Sequence, residues 1–187
     1  AVVSTIVSDN YDAGVQCAKD MMKKKTSANI IIVNQKALNS INERVKGFRD
    51  TIKGHPQYKI VEEKESAAEF EIAMKVMEGI IYEKKNYDVV MGGNDPIALG
   101  CIAAMQMTDK TDQVMVYGVD GSPDGKAMIK AGFLEGTAAQ SPIKIGEKAV
   151  QTAYSYLAGE TVKKHVTIPV ELITADNLKF YDMTGWQ

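Results

Sequence analysis

The stretch "MVYGVDGSPDGKAMIKAGF", residues 115–133, decides the fold. An apolar run ends in an acid, Asp120, and a glycine, a serine and a proline follow before a helical pattern begins. That order is typical of a buried strand that surfaces, turns and continues as an amphipathic helix. The carboxylate could be a phosphoacceptor, a metal ligand, a helix cap or a hydrogen-bond acceptor for a small polar ligand.

The same alternation of strand and helix extends along the chain on both sides of this stretch. The predicted strands span residues 28–35, 58–65, 87–93, 114–120 and 133–140. The predicted helices span residues 10–24, 40–54, 70–84, 96–107 and 123–131. The strands are short, continuous and β-branched, as in a sheet that is covered on both faces. The sequence therefore predicts an α/β fold with a doubly wound parallel sheet.

Composition excludes several classes of protein. A hydrophobic share of 45% and a net charge of −2 are ordinary for a soluble globular protein, and the basic runs at 21–26 and 162–166 are too short to indicate nucleic-acid binding. No apolar segment approaches the length of a membrane span. We expect Cys17 and Cys101 to be buried free thiols, and no cluster of cysteines, histidines and acids has the spacing of a metal site. No metal or other cofactor is predicted.

No motif indicates an enzyme. The sequence contains no Gly-x-Ser-x-Gly elbow and no Walker loop, and its two histidines lie in turn-like surroundings. The segment "GGNDPIALG" (92–100) is not a dinucleotide fingerprint, because Asp95-Pro96 occupies the turn where glycines are needed. A phosphoacceptor site would need an acidic pair after the strand at 28–35, which ends in "VNQ". We therefore predict no catalytic residue.

Three helices share a starting device in which a capping residue precedes a proline. The three pairs are Asp95-Pro96, Ser122-Pro123 and Ser141-Pro142. Each pair follows a strand, at the edge where open α/β sheets bind ligands. Asn94, Asp120 and Gln140 should therefore meet at one rim.

The chemistry of this rim favours a neutral polyol. Asp120 offers two acceptor oxygens, Asn94 and Gln140 offer an acceptor and two donors each, and Arg44 offers a planar fork of donors. Sugar hydroxyls are both donors and acceptors, whereas a phosphate would be repelled by the carboxylate. Taken singly, Asp120 and Asn94 could be turn residues and Arg44 a solvated helix residue; their shared location favours a binding site.

Five segments carry a resemblance that extends nearly from end to end. They are "SDNYDAG" (8–14), "NERVKGF" (42–48), "GGNDPIALG" (92–100), "YGVDGSPDG" (117–125) and "TAAQSP" (137–142). In order and spacing they resemble the ribose-type periplasmic sugar-binding proteins, the type I solute-binding proteins of ABC importers, whose fold is shared with LacI-like repressor cores. The resemblance implies a Rossmann-like or flavodoxin-like lobe.

The resemblance also implies roles for single residues. Arg44, Asn94, Asp120 and Gln140 match the positions that grip sugar hydroxyls in this family. A cleft aromatic usually precedes the helix at 70–84; counted without gaps its position is Ala68, and Phe70 is the nearby aromatic candidate. The implied ligand is a monosaccharide, a ribose-like pentose or a hexose.

Family members have two lobes joined by three crossovers, which implies a division of this chain. Residues 1–140 would form the C-terminal sugar-binding lobe with the first crossover strand. Residues 141–161 would form a helix of the other lobe, with a clear amphipathic pattern at 142–159, and residues 162–187 a return strand at 166–173 and a tail. The chain begins as if within a strand, without a signal peptide, so we expect mature protein or a piece of one, with the N-terminal lobe missing.

The function implied is that of the substrate-binding component of a bacterial ABC sugar importer, acting with a permease. It would work in the periplasm or as an extracellular lipoprotein anchored to the cell surface. The alternatives are the effector core of a LacI-type transcriptional repressor and the sugar receptor module of a membrane sensor. For the isolated chain we expect a homodimer formed through the helix at 142–159, with weak or no sugar binding.

Overall fold

Strands and helices alternate along the chain, which a computed structural model describes over residues 2–108 and 113–186. The strands are β1 (Thr5–Ser8), β2 (Ala28–Asn34), β3 (Tyr58–Glu65), β4 (Val89–Gly92), β5 (Met115–Asp120), β6 (Gly136–Ala139), β7 (His165–Ile168) and β8 (Glu171–Thr174). The helices are α1 (Asn10–Lys24), α2 (Asn39–Ile52), α3 (Phe70–Tyr82), α4 (Asp95–Gln106), α5 (Pro123–Ala131) and α6 (Pro142–Leu157). A short 3-10 helix, Leu178–Phe180, follows β8. The predicted α/β class is confirmed.

Six strands form the main sheet in the order β3-β2-β4-β5-β6-β8. The first five are parallel, as predicted, whereas β8 joins β6 as an antiparallel edge strand that the sequence did not predict. From β2 the chain runs outward to β3 and then returns to the other side of β2 as β4. The strand order thus reverses between β2 and β4, and open α/β sheets bind ligands outside the carboxyl ends of the strands at such a point.

Helices cover both faces of this sheet. On one face α1 packs against α2, and on the other α3 packs against α4. Ile30, Ile31, Ile32 and Val33 of β2 are all fully buried, because successive side chains of a strand point to opposite faces. Within the described ranges, no helix combines the length and the apolarity that a membrane span requires.

The strand predicted at 166–173 is wrong as a single element. The structure has two strands there, β7 parallel to β1 in a separate two-stranded sheet and β8 antiparallel to β6. Pro169 lies between them and has no N–H to donate to a strand ladder, so it interrupts the run. Ala1 and Gln187, the ends of the predicted domain division, lie outside the described residues.

Helix α6 has the predicted apolar stripe, but its side chains are open to solvent. The helix packs against β1, and none of its residues is buried. Val150, Tyr154 and Leu157 are 57%, 72% and 80% exposed. The stripe therefore does not fold back onto the main sheet of this chain.

Lys126 joins the C-terminal tail to helix α5. This side chain of α5 is fully buried, and its Nζ donates hydrogen bonds to the main-chain carbonyls of Asp182 and Gly185. Those carbonyls lie 56 and 59 residues further along the chain. The tail is therefore fixed by a buried cation as well as by β8.

Lys126→Met should loosen this tail. Methionine can fill the space of the lysine stem but cannot donate to the two carbonyls. Hydrogen bonds from a charged group contribute roughly 1.5–3 kcal/mol, so amide protons at 178–186 should exchange about tenfold faster or more, as measured by hydrogen exchange. Lys130→Met, on the exposed face of α5, is the matched control. Equal exchange in both variants would show that Lys126 does not hold the tail.

Candidate functional site

Arg44 lies buried at the carboxyl edge of the sheet, in the first half of α2. Only 4% of the residue is exposed. Its Nε donates to Oδ1 of Asn10 and its Nη1 to the main-chain carbonyl of Gly93, both at 2.9 Å. The alternative that Arg44 is a solvated helix residue is therefore excluded, and the guanidinium is held by the start of α1 and the end of β4.

Asp120 ends β5 and faces this guanidinium. Its Oδ1 lies 3.4 Å from Nη1 of Arg44 and accepts a hydrogen bond from Nε2 of Gln140 at 2.7 Å. Oδ2 is 3.4 Å from the main-chain N–H of Asp95. The backbone of Asp120 has φ +145°, which residues with a side chain rarely adopt. Such strain persists only where surrounding contacts hold it, often at functional sites.

Burial and neighbouring charges act on the pKa values of Asp120 and Arg44 in opposite directions. Burial raises the pKa of Asp120 to about 6; the Arg44 charge opposes this shift and the Asp95 charge adds to it. Burial likewise lowers the pKa of Arg44, against the attraction of the Asp120 and Asp95 carboxylates. At pH 7 Asp120 is mostly a carboxylate and Arg44 remains a cation.

Gln140 connects this pair to the first strand. Its Oε1 accepts a hydrogen bond from Oγ of Ser8 at 2.8 Å, while its Nε2 donates to Asp120. Ser8 and Asn10 are not among the site residues predicted from the sequence. Ser8 ends β1 and Asn10 lies two residues later, so the strand-end rule that selected Asp120 could also have found them.

Asn94, rather than Asp95, caps α4, which corrects the prediction for that helix. Oδ1 of Asn94 accepts from the N–H of Ile97 at 3.0 Å, and Asp95 is the first residue of the helix. Nδ2 of Asn94 is 3.5 Å from the carbonyl of Ala68, so this amide donates only weakly within the protein. The predicted caps Ser122 and Ser141 are confirmed at α5 and α6.

The structure brings Arg44, Asp120 and Gln140 together, with Asn94 beside them between Gly93 and Asp95. It does not bring Phe70 to this cluster. Phe70 begins α3, is 39% exposed, and lines a groove whose other walls come from α4 and α5. The groove residues are Phe70, Leu99, Ile102, Ala103, Gln106, Asp124, Ala127 and Met128.

The arrangement can bind adjacent hydroxyl groups. Among the described residues, Asp120 Oδ2 makes a single hydrogen bond, which is long, and Nη2 of Arg44 donates none. Together with the weakly used amide of Asn94, these atoms offer an acceptor next to planar donors. Among residues 2–108 and 113–186, no group of three or more histidines, cysteines and acids could hold a metal ion.

Comparisons with known proteins identify the family of this chain. A family model described as periplasmic binding protein domain matches residues 1–161. The ribose import binding protein RbsB of Salmonella typhimurium is 31% identical over 175 residues, which cover 92% of this chain and 58% of that protein. The D-apiose import binding protein of Paraburkholderia graminis is 31% identical over 185 residues, 97% of this chain and 59% of that protein.

A solved structure shares the fold. An ABC transporter solute binding protein from Bacillus halodurans C-125, with bound myo-inositol, matches with a TM-score of 0.90 and 26% identity. The match covers 96% of this chain and 63% of that one. The chain therefore spans less than two thirds of the length of each of these relatives.

Proposed function

This chain belongs to the periplasmic binding protein family, and we propose that it supplies one half of a monosaccharide site in the substrate-binding component of a bacterial ABC importer. The observation that carries the proposal is the cluster of Arg44, Asp120 and Gln140 at the carboxyl ends of β4, β5 and β6, on the edge of the sheet where open α/β folds bind ligands. Three side chains that are polar and largely buried, and whose bonding capacity is only partly used, favour a polar ligand.

A neutral sugar fits this cluster better than an anion does. In the proposal the Asp120 carboxylate accepts hydrogen bonds from two hydroxyls, and Arg44, Asn94 and Gln140 donate to others. A phosphate would meet the same carboxylate and be repelled. Phe70 lies in a groove apart from these residues and has no role in the proposal.

The names of the relatives narrow the class of ligand. They bind ribose or D-apiose according to their names, and the solved structure holds myo-inositol. All three are uncharged and carry several adjacent hydroxyls. We therefore propose a neutral pentose or hexose as the ligand of this chain.

The proposed mechanism contains no covalent step. Two lobes would close around the sugar by a hinge motion, and the permease would bind the closed state. This chain would contribute residues 1–140 to one lobe, 141–161 to the other, and 162–187 as a return strand and tail. The protein would act in the periplasm or anchored to the outer cell surface.

Calorimetry on the complete protein tests this function. The panel contains neutral pentoses, hexoses and myo-inositol, with ribose 5-phosphate as an anionic comparison. At least one neutral sugar should bind with one-to-one stoichiometry, and the phosphate should bind much more weakly. The absence of measurable heat with every neutral sugar, or a preference for the phosphate, would contradict the proposal.

We further propose that the isolated chain forms a symmetric homodimer through α6. Ile143, Val150, Tyr154 and Leu157 are all more than half exposed. Burying a large apolar side chain contributes roughly 1.5–3 kcal/mol, so pairing two such helices is favourable. In the complete protein the same face would instead pack within the other lobe.

Sedimentation velocity of the isolated chain should therefore show a monomer that converts to a dimer as concentration rises. Leu157→Asp should shift the equilibrium to monomer, because a charged side chain disfavours burial of the helix. Leu157 is the last residue of α6 and lies at the C-terminal end of the exposed stripe. Ile72→Asp is the matched control, because Ile72 is also exposed but lies on α3. A wild-type chain that stays monomeric throughout would show that α6 does not pair.

A further inference from the structure

Asp95 is a fully buried acid directly behind the proposed sugar site. Its Oδ2 accepts hydrogen bonds from the main-chain N–H and from Oγ of Ser122, at 2.8 and 2.7 Å. Its Oδ1 accepts from Oγ1 of Thr137 at 2.6 Å. One carboxylate therefore joins the start of α4 to the turn between β5 and α5 and to β6.

Two glycines leave the space that this carboxylate occupies. A Cβ atom at Gly118 of β5 would lie 2.4 Å from Oδ1 of Asp95, and one at Gly125 of α5 would lie 2.5 Å from Oδ2. Both distances are far inside van der Waals contact. The backbone on either side of the turn can approach Asp95 only because these positions lack side chains.

The turn that Asp95 holds is the one that begins with Asp120. Gly121 and Ser122 follow Asp120 directly, and the N–H of Gly121 donates to Oγ1 of Thr137 at 3.0 Å. Thr137 thus bonds both to Gly121 and to Asp95. The main-chain N–H of Asp95 also points to Asp120, at 3.4 Å from its Oδ2.

We propose that Asp95 is the positioning residue of this site: its carboxylate anchors the turn that orients Asp120 toward Arg44 and places a second negative charge close to Asp120. The inference rests on the proposed function only in calling this place a sugar site. Asp95 is fully buried and does not itself contact the ligand in this proposal.

Four charged or titratable groups surround Asp95. Arg44 approaches from α2, Lys126 from α5, Asp120 from β5 and Cys17 from α1. The Cys17 thiol stays neutral, because burial raises its pKa. Burial also raises the pKa of Asp95, while the hydrogen bonds from Thr137 and Ser122 act in the opposite direction.

The negative charge of Asp95 raises the pKa of Asp120, because two neighbouring carboxylates repel each other. Removal of the charge at constant geometry must therefore lower the pKa of Asp120. Asp95→Asn comes close to that change, because the amide oxygen can still accept from Ser122 and the amide nitrogen can donate to Thr137.

The experiment follows the side-chain carboxyl resonance of Asp120 by carbon-13 NMR during a pH titration, and needs no sugar. In Asp95→Asn the midpoint should fall below the wild-type value while the Gly121 and Ser122 amides exchange as in the wild type. Asp124→Asn, a charge change on the exposed surface of the first turn of α5, should leave the midpoint unchanged. A wild-type midpoint in Asp95→Asn would overturn the charge role.

A second pair of variants tests the anchoring role even if Asp95→Asn does not fold. Thr137→Val keeps the shape of the residue but removes the hydroxyl that joins Gly121 to Asp95, so the Gly121 amide should exchange at least about tenfold faster. Thr137→Ser keeps the hydroxyl and should exchange as the wild type does. Equal exchange in the valine variant and the wild type would overturn the anchoring role.

Discussion

Asp120→Ala should abolish sugar binding by the complete protein. The carboxylate is proposed to accept hydrogen bonds from two hydroxyls, and a hydrogen bond to a charged group contributes roughly 1.5–3 kcal/mol. Loss of both bonds corresponds to a fall in affinity of about 100-fold or more. The removal also takes one partner from Arg44 and one from Gln140. Calorimetry with the neutral sugar that binds most tightly measures the effect.

Asp124→Ala is the matched control for this substitution. Asp124 lies four residues further along the chain, in the first turn of α5, and is exposed. The Asp124→Ala variant should bind sugar as tightly as the wild type does. If Asp120→Ala also retained wild-type affinity, Asp120 would not contact the ligand.

The same carboxylate makes the affinity depend on pH. Burial raises the pKa of Asp120 to about 6. Hydrogen bonds donated by the sugar hydroxyls favour the charged carboxylate. The affinity should therefore be full well above pH 6 and should weaken as the pH falls through that value. Affinities measured from about pH 8 to about pH 5 report this, and Asp120→Asn should remove the dependence along with most of the affinity.

Arg44→Lys should cause the second largest loss of affinity. The guanidinium donates from two different nitrogens to Asn10 and Gly93 and still has Nη2 for a ligand. A lysine ammonium is a point charge that cannot reproduce this planar fork. One unpaired buried partner costs about 1–3 kcal/mol, which corresponds to roughly a fivefold to 140-fold fall in affinity.

Arg49→Lys controls for the exchange of arginine for lysine on the same helix. Arg49 is more exposed and pairs with Glu63 on β3, whereas Arg44 faces Asp120. Its replacement should leave sugar affinity unchanged in calorimetry. If Arg44→Lys bound sugar as tightly as Arg49→Lys, the guanidinium would serve the fold and not the ligand.

The sequence could predict that the site side chains lie close together, because this follows from the order of strands and helices. Parallel strands end at one edge, so side chains that follow β4, β5 and β6 must be neighbours. The partners of each side chain could not be predicted in this way. Ser8 and Gln140, for example, are 132 residues apart in the sequence. Arg44 bonds to the main-chain carbonyl of Gly93, and every residue type has such a carbonyl, so the sequence gives no sign of this contact.

The helix cap at α4 shows how distant contacts override a local rule. Asp before Pro is a strong capping pattern, yet Asp95 bonds instead to Ser122 and Thr137, 27 and 42 residues away. Asn94 is the N-cap residue of α4 instead of Asp95. The local sequence contains no information on that competition.

Two other departures have different causes. The break at Pro169 carries a signal in the sequence, since a proline within an apolar run argues against a continuous strand. The place of Phe70 carries none. Ala68 has φ +58°, in the left-handed region, and the resulting turn changes the direction of the chain just before α3. Spacing alone cannot give the direction in which the next aromatic side chain points.

Nitrogen-15 NMR of the complete protein, titrated with its tightest neutral sugar, tests the central claim most directly. The Nε–H of Arg44 and the side-chain amides of Asn94 and Gln140 should shift together and saturate at one equivalent. The side-chain amide of Asn29, at the amino end of β2, should not move. A saturating shift confined to another surface, such as the groove lined by Lys53, His55 and Tyr58, would contradict the assignment of the sugar site to this rim.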